Sequence, residues 1–323
     1  MIKVVRTYDF PGAFEIEKEV FGDQIEIIEA PSVTEDDLIR NCRDADAVIC
    51  EYEPFTKRVI DALPNLKLIA FGTIGFNYAD VEYAQSKGIA VSHISRYCIT
   101  EVADYTVGMI LMLNRSIHSF HNQIKEDKKW NFDAVMNMRR LGTQTVGLLG
   151  FGNIPRLIAE RLKPFGVKII AYDPYVDKIE AKQKYATDIV SLDEVLAGSD
   201  ILSIHLPVNE DTERIINDES ISKMKDEVTV INSARGQLVD ETAIVNAIES
   251  GKIGYYAADV LADEHPDLTT HPFMELENII LTPHIAFYSE ESVREASLES
   301  ATNVKNFFEG NYKDAQIVNG VNL

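Results

Sequence analysis

The stretch TVGLLGFGNIPRLIAERLKPFGVKIIAYDPY, Thr145 to Tyr175, decides the fold. An apolar run, Val146 to Leu149, ends in Gly150-Phe151-Gly152-Asn153-Ile154-Pro155 and opens into the amphipathic segment RLIAERLKPFG. Strand, glycine turn and helix in that order make a phosphate cradle. The first glycine permits a tight turn and the second lets the backbone approach a pyrophosphate. The helix N-terminus then offers N–H groups and a positive dipole end. A second apolar run, VKIIAY, ends at Asp173, 23 residues after Gly150. A carboxylate there accepts hydrogen bonds from the adenosine ribose hydroxyls and repels a 2′-phosphate, which favours NAD over NADP. A ligand-free capping turn competes for the glycines alone, but not for glycines, strand, helix and Asp173 together. Pro155 stands where the third glycine is usual. Its missing N–H matters least in the first helical turn, where its fixed φ suits helix entry. Without that glycine, the helix is expected to sit slightly farther from the strand.

Outward from this stretch, short apolar runs alternate with amphipathic segments. The first third contains IKVVRTY, QIEIIEA, DAVICEY, LKLIAFG and GIAVSHI; the later series runs TVGLLGF, VKIIAYD, DILSIHL, VTVINSA, GYYAADV and NIILTPH. Several are continuously apolar, as parallel strands covered on both faces are. The pattern predicts two doubly wound α/β domains with parallel sheets. Between the series lies TEVADYTVGMILMLNRSIHSFHNQIKEDKKW, which has no proline and predicts one long helix around residues 100–130 as the domain boundary. SEESVREASLESATNVKNFFEG predicts a C-terminal helix.

A chain of 323 residues suits two domains. With 31 Lys and Arg against 52 Asp and Glu, its net charge of −21 argues against nucleic-acid binding while leaving an anionic small molecule free to enter a local cleft. No apolar run approaches the roughly 20 residues of a membrane span, and the opening residues lack a signal-peptide pattern, so a cytoplasmic location is expected. Cys42, Cys50 and Cys98 are an odd set without paired spacing and are read as reduced thiols.

Three segments close strand-like runs, where open α/β sheets bind ligands: VTVINSARGQLVDETAI, YYAADVLADEHP and NIILTPHIAFYSEES. Their Asn-Ser-x-Arg-Gly, Asp-Val-x-x-x-Glu and Thr-Pro-His blocks, in this order, resemble those of the D-isomer-specific 2-hydroxyacid dehydrogenases. Glu264 follows Arg235 by 29 residues and His284 follows Glu264 by 20. The resemblance extends from LKLIAFGTIGFNYADVEYA to the C-terminal helix. It implies a flavodoxin-like substrate domain (1–98 with 287–323) and a Rossmann NAD-binding domain (99–286).

Reducing a 2-keto acid needs a cation for its carboxylate, polarisation of its carbonyl, a proton and a hydride. Arg235 can bind carboxylate and carbonyl oxygens with its planar fork. His284 can deliver the proton. Glu264 can hold the other imidazole nitrogen and favour the protonated ring. NADH supplies the hydride. Many relatives place proline directly after this glutamate, whereas here the order is Glu264-His265-Pro266, which makes Asp263 a competitor. The offset of five from Asp259 still selects Glu264.

The resemblance implies further sites. The amides of Ile74 and Gly75 would hold the substrate carboxylate, and Tyr97 would face the substrate. Gly150, Gly152 and the amides of Asn153 and Ile154 would meet the pyrophosphate, with Asp173 on the ribose. Leu206, Pro207, Thr212, Ser233 and Ala234 would line the cofactor, and Asp259 would bind the nicotinamide carboxamide. Phe287 stands where a scaffold branch of the family has tryptophan, and with Tyr97 it suggests a pocket that tolerates apolar bulk. The long helix, with Met109 and Met112, implies a homodimer. His118 and His121 form an HxxH pair without an obvious third ligand, so no metal site is expected. His265 and His271 read as exposed loop residues.

The leading reading is an NAD-dependent D-2-hydroxyacid dehydrogenase. One alternative is an NAD(H)-binding dimeric scaffold like the C-terminal-binding proteins, whose HIAFYSEES-like segment is similar. Another is a D-3-phosphoglycerate dehydrogenase, weakened by the absence of a basic cluster for a phosphate.

Overall fold

The computed structural model describes residues 1–133, 138–264 and 266–321. The chain divides into two compact units, Met1–Cys98 with Tyr288–Leu323, and Ile99–Phe287. Each is a parallel sheet with helices on both faces, the doubly wound architecture that the apolar runs predict.

In the first unit the elements are β1 (Ile2–Arg6), α1 (Ala13–Phe21), β2 (Ile25–Glu29), α2 (Glu35–Asn41), β3 (Ala47–Cys50), α3 (Lys57–Ala62), β4 (Leu68–Phe71), α4 (Val81–Ser86) and β5 (Ala90–Ser92). The strand order is β2-β1-β3-β4-β5 and every pairing is parallel. Strands β3 and β4 are buried at every position, which explains their unbroken apolar sequence. Successive residues still divide between two faces. Val48, Cys50, Ile69 and Phe71 pack with Leu38, Val59 and Ala84 of the α2–α4 side. Val4, Ala47, Ile49, Leu68 and Ala70 pack with Phe21 and with Ala301, Val304 and Phe307 of the C-terminal helix. Each such valine, leucine, isoleucine or phenylalanine side chain contributes about 1.5–3 kcal/mol by burial.

The end of β1 carries a buried ion cluster. The Arg6 side chain is fully buried, with Nε 3.6 Å from Glu17 Oε1 and Nη1 3.5 Å from Glu29 Oε2, and its guanidinium lies 4.3 Å over the Tyr8 ring. Burial pushes the Glu17 carboxyl up to about 7; the Arg6 charge opposes that rise and Glu29 adds to it.

The second unit runs α5 (Ile99–Asn114), α6 (Ile117–Lys125), β6 (Thr145–Leu149), α7 (Asn153–Leu162), β7 (Lys168–Tyr172), α8 (Lys178–Tyr185), β8 (Asp188–Ile189), α9 (Leu192–Gly198), β9 (Ile201–Ile204), α10 (Asp218–Ser222), β10 (Val228–Asn232), α11 (Glu241–Glu249), β11 (Ile253–Ala258) and β12 (Ile279–Leu281). Helix α12 (Glu290–Phe308) then returns the chain to the first unit. The second sheet has the order β12-β11-β10-β9-β6-β7-β8, again all parallel. Its direction of growth reverses between β6 and β9, the kind of switch point where open sheets hold ligands. Leu149, Leu202, Ile204 and Val230 face α9 and α11. Val146, Leu148, Ile169 and Ile231 face α5, α7 and α8. Gly147 lies inside β6 because a Cβ there would stand 1.9 Å from Ser199 Oγ at the end of α9.

The segment expected as one helix is two. Ser116 takes φ +48° and is buried between α5 and α6, which ends the helical ladder at that point. Beside the break, the Asn114 side chain accepts a hydrogen bond from Gln144. Tertiary contacts thus override a pattern with no local breaker. The two-residue β8 had no apolar run to announce it. Cys42, Cys50 and Cys98 are buried, and none of them is in a disulfide among the described residues. Among the described residues, no helix is long and apolar enough to cross a membrane.

Candidate active site

After β6 the chain turns at Gly150, whose φ is +92°. A Cβ there would stand 2.6 Å from the His205 carbonyl oxygen and 3.4 Å from the Leu206 side chain. The glycine therefore lets the ends of β6 and β9 close up at the switch point. Gly152 caps α7 without a side-chain bond, and a Cβ on it would meet nothing within 4 Å. The first-turn amides of Asn153 and Ile154 have no acceptor within the helix. Free donors, a dipole end and open space are what a pyrophosphate requires. Pro155 is the third residue of α7 and is buried.

Asp173 follows β7. Its Oδ2 accepts from the Phe151 amide at 2.9 Å and its Oδ1 from the Tyr175 amide at 2.9 Å. Each carboxylate oxygen keeps a second lone pair for a ribose hydroxyl. In the loop after β9, Thr212 Oγ1 donates to the Pro207 carbonyl at 2.6 Å and accepts from the Asn209 amide at 2.9 Å. His205 Nε2 bonds Ser203 Oγ at 2.8 Å, and burial pushes the His205 ring down to about 3, so this ring is neutral. Glycine turn, helix end and carboxylate fit a dinucleotide.

Strand β10 ends at Asn232, which is fully buried. Its Nδ2 donates to the Arg235 carbonyl at 2.9 Å and its Oδ1 accepts from the Ala234 amide at 3.1 Å. Ser233 Oγ bonds Thr106 Oγ1 at 3.0 Å. This one asparagine shapes the turn that presents Arg235, a role its place in the Asn-Ser-x-Arg-Gly block did not disclose. The half-buried Arg235 donates through Nη1 to the Ala234 carbonyl at 2.7 Å. Gly236 follows because a Cβ there would lie 2.0 Å from the Leu261 carbonyl carbon and 2.3 Å from the Ala262 nitrogen. The Ala262 amide donates to Glu241 Oε1 at 3.0 Å, and its carbonyl accepts from Gln237 at 3.2 Å.

That anchored segment leads to Glu264, whose Oε2 lies 3.0 Å from His284 Nδ1. The Phe287 ring stands edge-on to the His284 ring at 6.2 Å. Asp259, at the end of β11, is 1% exposed. It accepts from Thr282 Oγ1 at 2.5 Å and from the amides of Ile285 and Ala286 at 2.9 and 2.8 Å. Burial raises its carboxyl above the usual range, against the lowering influence of those donors.

In the first unit, Ile74 and Gly75 lie in the loop after β4. His93 Nδ1 bonds the Ile74 carbonyl at 2.9 Å, and the Ile94 amide donates to the Thr73 carbonyl at 3.3 Å. In trans peptides the N–H opposes the preceding C=O, so the amides of Ile74 and Gly75 both point away from these partners. Tyr97 is half-buried, and its hydroxyl is pushed up by burial first, then by Cys98, Tyr52 and Glu51.

Two histidine expectations need correction or limits. His271 is not exposed: its side chain is 12% exposed, its Nδ1 accepts from the Phe273 amide at 3.3 Å, and its Nε2 lies 3.5 Å from Glu241. The short helical turn that begins at Pro272 recruits it as a cap. His265 lies outside the described residues. His118 packs edge-on against Tyr255 at 5.3 Å and bonds Ser119 at 3.0 Å, while His121 faces solvent. Among the described residues, no three His, Cys, Asp or Glu side chains are grouped to hold a metal.

Residues 107–286 match the D-isomer specific 2-hydroxyacid dehydrogenase, NAD binding domain family. The chain is 37% identical to the glyoxylate reductase of Thermofilum pendens over 278 residues, 83% of this chain and 80% of that one. It is 37% identical to the hydroxypyruvate reductase of Thermotoga maritima over 266 residues, 82% and 85% of the two chains. Its fold matches the crystal structure of D-lactate dehydrogenase from Aquifex aeolicus complexed with NAD and lactic acid, with a TM-score of 0.87, 30% identity, and coverage of 98% of this chain and 99% of that one. The chain belongs to the D-isomer specific 2-hydroxyacid dehydrogenase family and is an NAD-dependent oxidoreductase acting on CH–OH groups.

Proposed function

We propose that the protein reduces a 2-keto acid to the D-2-hydroxy acid, with Arg235, Glu264 and His284 as its catalytic groups. The observation that carries this reading is the 3.0 Å contact between His284 Nδ1 and Glu264 Oε2. A carboxylate only accepts hydrogen bonds, so Glu264 places a proton on Nδ1 and leaves Nε2 to exchange a proton with the substrate oxygen. Arg235 binds the substrate carboxylate and polarises its carbonyl. Amides of Ile74 and Gly75 add carboxylate donors, and Tyr97 and Phe287 meet a substrate side chain with apolar bulk. Asn153 and Ile154 hold the pyrophosphate, Asp173 the ribose, and Leu206, Pro207, Thr212, Ser233 and Ala234 line the cofactor. NADH, when bound, supplies the hydride.

The test is NADH oxidation with glyoxylate, pyruvate, hydroxypyruvate, phosphohydroxypyruvate, 2-ketoisocaproate and phenylpyruvate, followed by chiral analysis of the product. NADH binding without turnover of any 2-keto acid would sink the enzyme reading and favour a scaffold. A preference for phosphohydroxypyruvate would instead mark a phosphoglycerate dehydrogenase, and an L-product would refute the stereochemistry. We further propose a cytoplasmic homodimer. Its buried cysteines, outside any disulfide among the described residues, suit a reducing compartment, and the exposed Ile117, Ile124, Trp130 and Phe132 offer apolar surface for a second copy. A monomer in light scattering would refute the dimer.

A further inference from the structure

His284 occupies the left-handed region at φ +52°, a conformation that a non-glycine residue holds only where its surroundings fix it. The fixing comes from Asp259 on both sides of the histidine. Its carbonyl accepts the His284 amide at 2.7 Å. Its carboxylate accepts the next two amides, Ile285 through Oδ1 and Ala286 through Oδ2. The same Oδ1 takes Thr282 Oγ1 at 2.5 Å, and Thr282 Oγ1 lies 2.6 Å from the Tyr105 hydroxyl. Proton directions follow from the chemistry. A carboxylate has no proton to give, so the single Thr282 proton goes to Asp259 and Tyr105 must donate to Thr282. A directional chain thus runs from α5 into the turn that carries the imidazole.

We propose that Tyr105, Thr282 and Asp259 are positioning residues that lock the 282–286 turn in the conformation aiming His284 Nδ1 at Glu264. The proposal rests on the proton-transfer role of His284 for its catalytic consequence, but not for its structural content. Two backbone amides and one hydroxyl converge on a carboxylate that is almost entirely buried, and a third amide, that of His284, binds the same residue's carbonyl, so the geometry leaves little slack. Loss of the Thr282 hydroxyl removes one donor from Oδ1 and strands the Tyr105 hydroxyl. Loss of the Tyr105 hydroxyl leaves Thr282 free to rotate away from Asp259.

The test uses Thr282→Val, Tyr105→Phe and the conservative Thr282→Ser. Two readouts are needed: steady-state kinetics, and the proton resonance of the His284 imidazole Nδ1–H, which its bond to Glu264 moves downfield and His284→Gln identifies by its loss. In Val and Phe variants with unchanged circular dichroism, the resonance is expected to move or vanish. Their kcat should fall about tenfold, with KM for NADH changed less than about twofold; Thr282→Ser should restore both. A moved resonance with undiminished kcat supports the clamp and counts against the proton-transfer role instead. An unmoved resonance overturns the clamp whatever the kinetics do. Should Thr282→Val fail to fold, Tyr105→Phe, which removes one oxygen and keeps the ring, decides by the same criteria.

Discussion

His284 and Glu264 stand 20 positions apart in the chain and meet at 3.0 Å, Nδ1 to Oε2. A proton-transfer ring and the carboxylate that orients it should fail unequally. His284→Ala is expected to lower kcat by roughly 10²–10⁴-fold, the usual worth of a general acid–base group. Glu264→Gln keeps a hydrogen-bond acceptor and loses the charge, so a fall of roughly tenfold to a hundredfold is expected. NADH binding, followed by protein fluorescence quenching, should be nearly unchanged in both. Full turnover by the alanine variant would remove His284 from the mechanism.

Arg235 is half-buried and spends one Nη1 bond on the neighbouring Ala234 carbonyl. The rest of its fork is suited to two oxygens of one planar anion. Arg235→Lys preserves the charge and abolishes the fork, so KM for the 2-keto acid should rise roughly tenfold to a hundredfold. Steady-state kinetics at saturating NADH measure this, and an unaltered KM would show that Arg235 does not hold the substrate.

What was legible in the sequence was mostly what local physics dictates. The fully buried Ala47–Cys50 and Leu68–Phe71 had to be apolar throughout, so parallel strands covered on both faces could be read directly. Gly150 and Gly152 could be placed because strand, turn and helix are contiguous. The break at Ser116 was not legible, since a buried serine at φ +48° differs in no local way from one in a continuous helix. The approach of Glu264 to His284 was suggested by the block pattern alone; spacing in sequence says nothing about two loops meeting. Asn232, Tyr105 and Thr282 escaped for the same reason, because each acts through hydrogen bonds to backbone or side chains that only the folded chain brings near. His271 was misread because a cap on a short turn resembles any polar loop residue.

Asp173 joins the end of β7 to the glycine turn through the Phe151 amide. Its charge at the ribose position should exclude a 2′-phosphate. The wild type is expected to prefer NADH, and Asp173→Asn should improve the NADPH to NADH ratio of kcat/KM by roughly tenfold to a hundredfold. Competition of the two cofactors at fixed substrate provides the measurement. A wild-type preference for NADPH would contradict the role outright.

Burial of Glu17 gives the first unit a pH dependence whose sign follows from the raised carboxyl. Its folded-state value of about 7 lies above the ordinary 4.5, so between these limits the folded chain binds more protons than the unfolded one. Stability from this group is therefore greatest below pH 4.5 and is lost as pH rises toward 7. The rise from 4.5 to about 7 sets the scale at roughly 3 kcal/mol. Urea unfolding at pH 5 and pH 7.5 should show wild type losing more stability than Glu17→Gln over this interval. Equal losses in both proteins would place the dependence elsewhere.

At Gly236 the Arg235 turn lies hard against the backbone of the segment that leads to Glu264. A Cβ there would stand 2.0 Å from the Leu261 carbonyl carbon, 2.1 Å from its oxygen and 2.3 Å from the Ala262 nitrogen. These are backbone atoms, and the Ala262 peptide is fixed on both sides by Glu241 and Gln237, so no side-chain rotation relieves the overlap. Gly236→Ala must push 261–262 away from the turn, and Glu264 moves with that segment. Destabilisation of about 1–3 kcal/mol is expected from the overpacking. The decisive sign is a kcat loss in protein that is still folded, measured well below its unfolding midpoint and accompanied by near-normal NADH binding. A folded variant with undiminished kcat would show that the approach of these two backbones matters for packing alone and not for the placement of Glu264.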